Sequence, residues 1–304
     1  MPDFNSLLSV TRSYLHGVDL TSLEEAYRFA CERHGDNRHI TGEPYLSHLL
    51  EVSITIASMK LDLDTIIAGV LHGVLKEEVA TLKELENKFG HDVANIVNGT
   101  TRITNVRYDS KLAHQAENIR KLFLAMGADI RVLLVKLADR LHDMLALQNL
   151  DNSRQRKVAR ETMDLYAPLA SRLGIDWLKR ELEDLSFQYL FPTEYTDLTG
   201  HLENTLGERE IYVHEVIDIL YNKLQKNKII PLRVLGRPKH LYSIYKKLVV
   251  QNIPVEQVYD KVAFRIIVNT IKECYQSLGT IHGNWTPVPG RIKDFISAPK
   301  NPNT

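Results

Sequence analysis

The stretch A-G-V-L-H-G-V-L-K-E-E, residues 68–78, decides how the first half of this chain is read. Val70, Leu71, Val74 and Leu75 recur at helical spacing, which predicts an α-helix with one buried face. Residues four apart share a face, placing Lys76 one turn above His72 and Glu77 one turn above Gly73. Outward from it, a second histidine stands in Pro44-Tyr45-Leu46-Ser47-His48. An aspartate follows in Lys136-Leu137-Ala138-Asp139-Arg140-Leu141-His142-Asp143. By residue type alone, His48 and His72 are ordinary helix histidines or, with Asp139, ligands of a metal ion.

Residues 7–150 read as helices separated by short polar turns. Ser22-Leu23-Glu24-Glu25 has the hydroxyl-then-acid order of a helix N-terminus. Pro44 is placed to start the helix carrying His48. Thr81-Leu82-Lys83-Glu84 is a capping-box pattern for a helix that stops near Phe89-Gly90. Between Ala128 and Leu147, apolar residues at 130, 133, 134, 137, 141 and 144 form one stripe, with Asp139 and Asp143 on another face. Helical text continues through Tyr166–Gly174 and Glu181–Asp184 as a connecting bundle. Near Ile229 the pattern changes. Ile229–Leu235 reads as a strand, Gly236 as a turn, and Pro238 as the start of a helix with Leu241, Ile244 and Leu248 on its apolar face. Lys261–Val268 alternates as a strand, and Thr270–Gly279 reads as another helix. Strand–helix–strand–helix predicts a second, α/β domain.

A chain of 304 residues has room for two cores. Lys plus Arg and Asp plus Glu both number 38, so the formal charge is zero, which argues against non-specific nucleic-acid binding. Cys31 and Cys274 show no metal or disulfide spacing. The absence of a signal-type N-terminus or a membrane-length apolar run leads to the expectation of a cytoplasmic chain with no membrane partner.

The densest cationic segment holds Arg233, Arg237, Lys239, His240, Lys246 and Lys247, with no acid before Glu256. Arg237 and Lys239 fall where a strand turns into a helix, beside the free N–H groups of its first turn, an arrangement suited to phosphate. Asp260 could hold Mg²⁺ on those phosphates. The same pattern also describes a solvated strand end.

The wording goes further. Gly236-Arg237-Pro238-Lys239-His240-Leu241-Tyr242-Ser243-Ile244 with Lys247 resembles the ATP-binding segment of RelA/SpoT-type alarmone synthetases. Asp260–Arg265 is similar to that family's metal-binding strand, and Arg291-Ile292-Lys293-Asp294-Phe295-Ile296 to its basic loop in the R-x-K-D form. Glu43-Pro44-Tyr45, Gln115-Ala116-Glu117-Asn118, Lys136–His142 and Tyr166–Gly174 also read as that family's text, in its order. The spaced His48, His72 and Asp139 resemble the HD phosphohydrolase pattern.

The resemblance implies an α-helical HD-type domain (1–155), a helical linker (156–220) and a truncated, nucleotidyltransferase-like α/β domain with a mixed sheet (221–304). It implies transfer of pyrophosphate from ATP to GDP or GTP in the second domain and Mn²⁺-dependent removal of pyrophosphate from (p)ppGpp in the first. Arg237 would stack on adenine, and Lys239, Ser243, Lys247, Arg291 and Lys293 would contact phosphates. Asp260 would bind Mg²⁺ and Arg265 would support the site, with Asp260, Arg265 and Lys293 as the catalytic set. Ribosome contact would belong to regions outside this chain.

The departures from the family pattern set further expectations. Gly73 stands where a carboxylate ligand is expected, leaving His48, His72 and Asp139. Lys76 and Glu77 stand where active hydrolases carry an acidic pair. At ~5 Å and a dielectric of ~20, the Lys76 charge would cost a metal roughly 3 kcal/mol per unit charge. His39, Asp143 and Ala146 replace the usual Arg, Asn and Thr. Hydrolysis is therefore expected to be lost and Mn²⁺ binding weak or absent, and the guanine-nucleotide acceptor segment is expected beyond Thr304. Two rivals stand beside this reading: a non-enzymatic nucleotide-binding regulatory module, and a hydrolase in which Glu77 replaces the missing ligand.

Overall fold

The computed structural model describes residues 3–104, 120, 124, 129–201, 206–252 and 262–299. It divides into two compact units, Met1–Pro192 and Thr193–Thr304.

The first unit is helical. Helices α1 (Phe4–Arg12), α2 (Thr21–His34), α3 (Tyr45–Ser58), α4 (Leu63–Leu71), α5 (Leu82–Phe89) and α6 (His91–Thr104) precede α7 (Arg131–Leu145), α8 (Asn152–Glu161), α9 (Ala167–Arg172) and α10 (Asp176–Leu190). Their apolar faces meet in one core that includes Leu7, Leu23, Leu49, Ile56, Ile66 and Leu137, all essentially inaccessible to solvent. Caps set the boundaries. Asp62 accepts from the Thr65 N–H and Thr81 from the Glu84 N–H, each satisfying a donor that the first turn leaves open. Helix α2 differs from expectation: it begins at Thr21, and Asp19 rather than Ser22 accepts the Thr21 N–H. A π-helical turn, Thr162–Tyr166, leads into α9. Pro168, within the first turn of α9, has no N–H to continue the α-helical ladder there.

The stretch around His72 is not one helix. Helix α4 ends at Leu71, His72 is its C-cap, and residues 72–78 form turns. The Val74 N–H bonds Leu71, the Glu77 N–H bonds Gly73, and Glu78 takes a left-handed φ of 57°. The buried face of Leu71 and Val74 still packs in the core, so the apolar spacing was a correct guide to burial and an incomplete one to backbone.

In the second unit, α11 (Pro192–His201) and α12 (Leu206–Lys226) lead to β1 (Arg233–Pro238), α13 (Leu241–Gln251), β2 (Val262–Ile267) and α14 (Ile271–His282). The strand–helix–strand–helix order is as expected. Among the described residues the sheet consists of β1 and β2, antiparallel, with Arg233 opposite Ile267 and Arg237 opposite Ala263. Val262, Phe264 and Ile266 are half-buried while Ala263 and Arg265 are exposed, the alternation read from the sequence. Thr270 and Glu273 form a reciprocal capping box on α14.

Gly236 is not a turn. It lies inside β1 opposite Phe264, and a Cβ there would stand 2.6 Å from Val213 Cγ1 and 2.8 Å from the Phe264 ring. Its role is close approach, and Pro238 correspondingly ends the strand instead of starting the helix. Gly236→Ala should destabilise the second unit by about 1–3 kcal/mol through overpacking, read as a lowered urea midpoint; an unchanged midpoint would mean that the strand is free to shift.

Candidate functional site: a buried histidine–aspartate cluster

Helices α3, α4 and α7 bring His48, His72 and Asp139 together. All three are buried, and their ligand-type atoms converge. His48 Nε2 lies 3.1 Å from Asp139 Oδ1 and 3.3 Å from His72 Nε2, and His72 Nε2 lies 3.6 Å from Asp139 Oδ1. The Nδ1–H of His72 donates to the Gly69 carbonyl at 2.7 Å. That bond fixes the tautomer and leaves the Nε2 lone pair facing the cluster.

The carboxylate is held from both sides. Lys136 Nζ donates to Asp139 Oδ2 at 2.6 Å, one turn away on α7. Burial opposes the charge of each, yet the pair's attraction wins: Asp139 is held well below the ordinary carboxylate range and Lys136 is raised to about 12. On the far side of His48, its Nδ1 lies 3.0 Å from His142 Nδ1, and Glu43 Oε1 stands 3.5 Å from the latter. His142 lay within the quoted α7 motif without an assigned role. Its place half a turn from Asp139 on an amphipathic helix is the signal that was available.

Gly73 explains what replaced the expected ligand. A Cβ built there would stand 2.5, 2.6 and 2.8 Å from Cε1, Oη and Cζ of Tyr45. The tyrosine ring therefore fills the space of the missing side chain. It is buried, stacks on His34 at 4.3 Å and meets the rings of His39 and His48 edge-on. Burial and the nearby Glu77 raise its pKa, keeping it a neutral phenol. Its hydroxyl donates to Glu77 Oε1 at 3.4 Å, and Glu77 pairs with Lys76 at 3.5 Å.

Two expectations change accordingly. Lys76 does not stand as an uncompensated cation, because Glu77 neutralises it and both are partly exposed. Glu77 is directed to Tyr45 and Lys76, and it does not join the ligand-type clusters among the described residues. The altered positions His39 and Asp143 meet each other at 3.6 Å, while the His39 ring stacks on His48 at 4.0 Å. Burial, reinforced by the adjacent Asp139, raises the pKa of Asp143. The cavity lined by His39, Tyr45, His48, His72, Lys76 and Asp139 encloses only about 10 Å³.

The donor set fits a divalent metal. Ligand atoms ~2.0–2.1 Å from a four-coordinate ion are about 3.3–3.4 Å apart, close to the three separations seen. No loop movement is needed to bring the three together.

The residues expected to bind phosphate lie in the second unit. Arg237 and Arg265 are exposed on the same face of the sheet, Arg265 opposite Leu235 and diagonal to Arg237. Lys239 lies between β1 and α13; Ser243 and Lys247 lie on α13, with Ser243 in its first turn, and all three are half-buried. Arg291 and Lys293 are exposed on a loop beside α14, lining a groove with Tyr275 and His282. Asp294 anchors that loop: Oδ1 accepts from the Ile296 and Ser297 N–H groups, each at 2.9 Å, and Oδ2 from the Tyr275 hydroxyl at 3.0 Å. Sequence reasoning quoted Asp294 without this role, because the partner on α14 is not a neighbour in the chain. Asp260 and the Gln115–Asn118 motif lie outside the described residues. Among the described residues, no helix is long and apolar enough to cross a membrane.

Helices that carry two histidines and an aspartate into one buried cluster define an HD-type domain, and the model of the HD domain matches residues 26–176. A second model, the region found in RelA/SpoT proteins, matches residues 236–303. The chain is 45% identical over 93% of its length to a protein named GTP pyrophosphokinase from Myxococcus xanthus. It is 40% identical over 98% of its length to the bifunctional (p)ppGpp synthase/hydrolase SpoT of Escherichia coli K12. It is 43% identical over 91% to a guanosine-3′,5′-bis(diphosphate) 3′-pyrophosphohydrolase from Aquifex aeolicus. It covers 38%, 42% and 40% of those three proteins. The chain belongs to the RelA/SpoT family.

Burial dominates the titration of the cluster. His34, His39 and His48 are each lowered to about 4, first by burial and, for His34 and His39, next by a neighbouring histidine. Both ring nitrogens of His34 lack a hydrogen-bond partner, so the ring is tolerated only as a neutral apolar plate on Tyr45. The unfolded chain then binds protons first as pH falls. The stability these groups contribute is complete above about 6.5 and is lost as pH falls toward 4. The urea midpoint should drop between about pH 7.5 and pH 5, and His34→Phe, which preserves the stack, should flatten the slope. An equal slope in the variant would show that His34 does not contribute.

Proposed function

We propose that this chain is the catalytic region of a (p)ppGpp-metabolising protein in which the second unit serves synthesis and the helical unit no longer hydrolyses. In synthesis, the 3′-oxygen of GDP or GTP bonds to the β-phosphorus of ATP as the bond to AMP breaks. Residues 221–304 would supply the ATP half. Arg237 would lie against the adenine, while Lys239, Ser243, Lys247, Arg291 and Lys293 would hold phosphate oxygens. Arg265, on the same exposed face as Arg237, would supply charge beside them, and Asp260 would hold Mg²⁺. Mg²⁺, when bound, would neutralise phosphate charge. What the chain itself does is orient the donor, because this class of transfer rests on positioning and charge compensation. Supporting the ATP assignment is the placement of Arg237 on the strand that leads into the N-terminus of α13.

The observation that carries the proposed direction is the Tyr45 ring in the place of a side chain on residue 73. It takes the space of a carboxylate ligand, and the enclosed volume of about 10 Å³ does not admit a guanosine nucleotide. A second reading, metal-dependent hydrolysis, is favoured by the convergence of His48, His72 and Asp139. It requires Tyr45 and its neighbours to open around the substrate.

Turnover measured in both directions separates them. No appreciable (p)ppGpp hydrolysis with Mn²⁺ is expected, and rapid hydrolysis would support the second reading. Gly73→Asp alone should not restore hydrolysis and should lower stability by about 1–3 kcal/mol, since the new side chain meets the tyrosine ring.

ATP should bind the 304-residue chain, with Arg237→Ala weakening it about tenfold or more and Asp260→Asn reducing its dependence on Mg²⁺. Little alarmone should form, because the acceptor-binding segment is expected beyond Thr304. Calorimetry with ATP and chromatography of products check both statements. Failure to bind ATP would turn the assignment toward a module without this activity.

A further inference from the structure

We infer that the helical unit has been remodelled into a closed four-coordinate metal site that selects Zn²⁺ over Mn²⁺. His48, His72 and Asp139 are its protein ligands, and one water-sized ligand completes it. This goes beyond the proposed loss of hydrolysis, because it assigns the remaining residues a different metal and a non-hydrolytic role.

The first ground is the donor set. His48 Nε2 and His72 Nε2 are two imidazole nitrogens, and Asp139 gives a single oxygen. Its second oxygen is held by Lys136 at 2.6 Å, so the carboxylate binds through Oδ1 alone. A further carboxylate is missing at Gly73, and Glu77 is turned to Tyr45 and Lys76. Mn²⁺ stands at the weak end of the divalent series and favours oxygen-rich, six-coordinate surroundings. Nitrogen donors shift preference toward the later metals. Losing a hard oxygen ligand therefore penalises Mn²⁺ more than Zn²⁺.

The second ground is space and geometry. The separations of 3.1, 3.3 and 3.6 Å bracket the tetrahedral edge. The enclosed volume of about 10 Å³ is close to the ~10–15 Å³ that one water requires. The Tyr45 ring closes the side on which another protein ligand would have stood. Three protein ligands and one small exogenous ligand make a coordination that Zn²⁺ accepts readily and Mn²⁺ does not.

The third ground is the support behind the ligands. The Gly69 carbonyl holds the proton of His72 on Nδ1, leaving Nε2 free to ligate. His48 ligates through Nε2 when its own proton sits on Nδ1, where His142 Nδ1, 3.0 Å away, accepts it. Metal binding thus needs only an exchange of donor and acceptor between two adjacent rings. Outer hydrogen bonds of this kind orient ligand histidines and raise their basicity.

The test uses the metal-free 304-residue chain and needs no turnover assay, so its outcome is independent of whether the chain makes or degrades alarmone. Calorimetric titration in competition with a chelator should give one Zn²⁺ per chain, bound at least about 100-fold more tightly than Mn²⁺, with a thermal midpoint raised by Zn²⁺. Co²⁺ used as a probe should show the intense visible absorption of a tetrahedral ion. Asp139→Asn, nearly isosteric, should abolish stoichiometric binding. His142→Phe should weaken it while the circular dichroism stays unchanged. Mn²⁺ binding as tight as Zn²⁺, a weak six-coordinate Co²⁺ spectrum, Zn²⁺ binding that survives Asp139→Asn, or no metal binding would each overturn the proposal.

Discussion

Burying the carboxylate of Asp139 obliges the helical unit to provide a counter-charge and hydrogen-bond donors around it. Lys136 supplies the charge from the same helix, and His48 supplies a donor from α3. A buried ion pair of this kind is costly to break by removing one partner, about 3–5 kcal/mol. Helices α3, α4 and α7 are thereby tied to one point at which their apolar faces already meet. Arg140, the residue after Asp139, extends the arrangement: its guanidinium lies 4.2 Å from the Tyr166 ring centroid and 3.4 Å from Glu161. The motif around Asp139 is thus as much a device for joining helices as a source of ligands.

The same point shows how an enzyme-like site can change without collapsing. Removing a ligand side chain from a packed interior leaves a space, and interiors do not keep such spaces open. Here an aromatic ring fills it. Tyr45 brings its own requirements: a partner for its hydroxyl, found in Glu77, and flat neighbours, found in His34 and His39. Glu77 in turn neutralises Lys76. Four departures from the family pattern, at positions 39, 73, 76 and 77, are therefore connected through one ring. His39 with Asp143 forms a further pair beside it. Such mutual support has the form of a reorganised site, in contrast to scattered loss.

The second unit follows a different principle. Its cations lie on exposed faces and loop edges, where water and partners are available, and its glycine at 236 serves to bring β1 against Val213 and Phe264. The loop carrying Arg291 and Lys293 is fixed by Asp294 and Tyr275, which sets where those two cations emerge.

Much was legible in the chain itself. The caps at Thr81 and Thr270, the alternation of Val262, Phe264 and Ile266, and the identity of His48, His72 and Asp139 as a set follow from local rules. Periodicity, hydrogen-bonding caps and motif spacing act over a few residues, so sequence carries them. What occupies the place of the missing ligand, where Glu77 points, whether Lys76 is compensated, and that Gly236 lies inside a strand were decided only in three dimensions. Each depends on which side chain from a distant segment reaches the same few cubic ångströms, and a linear pattern holds no record of that competition for volume and charge.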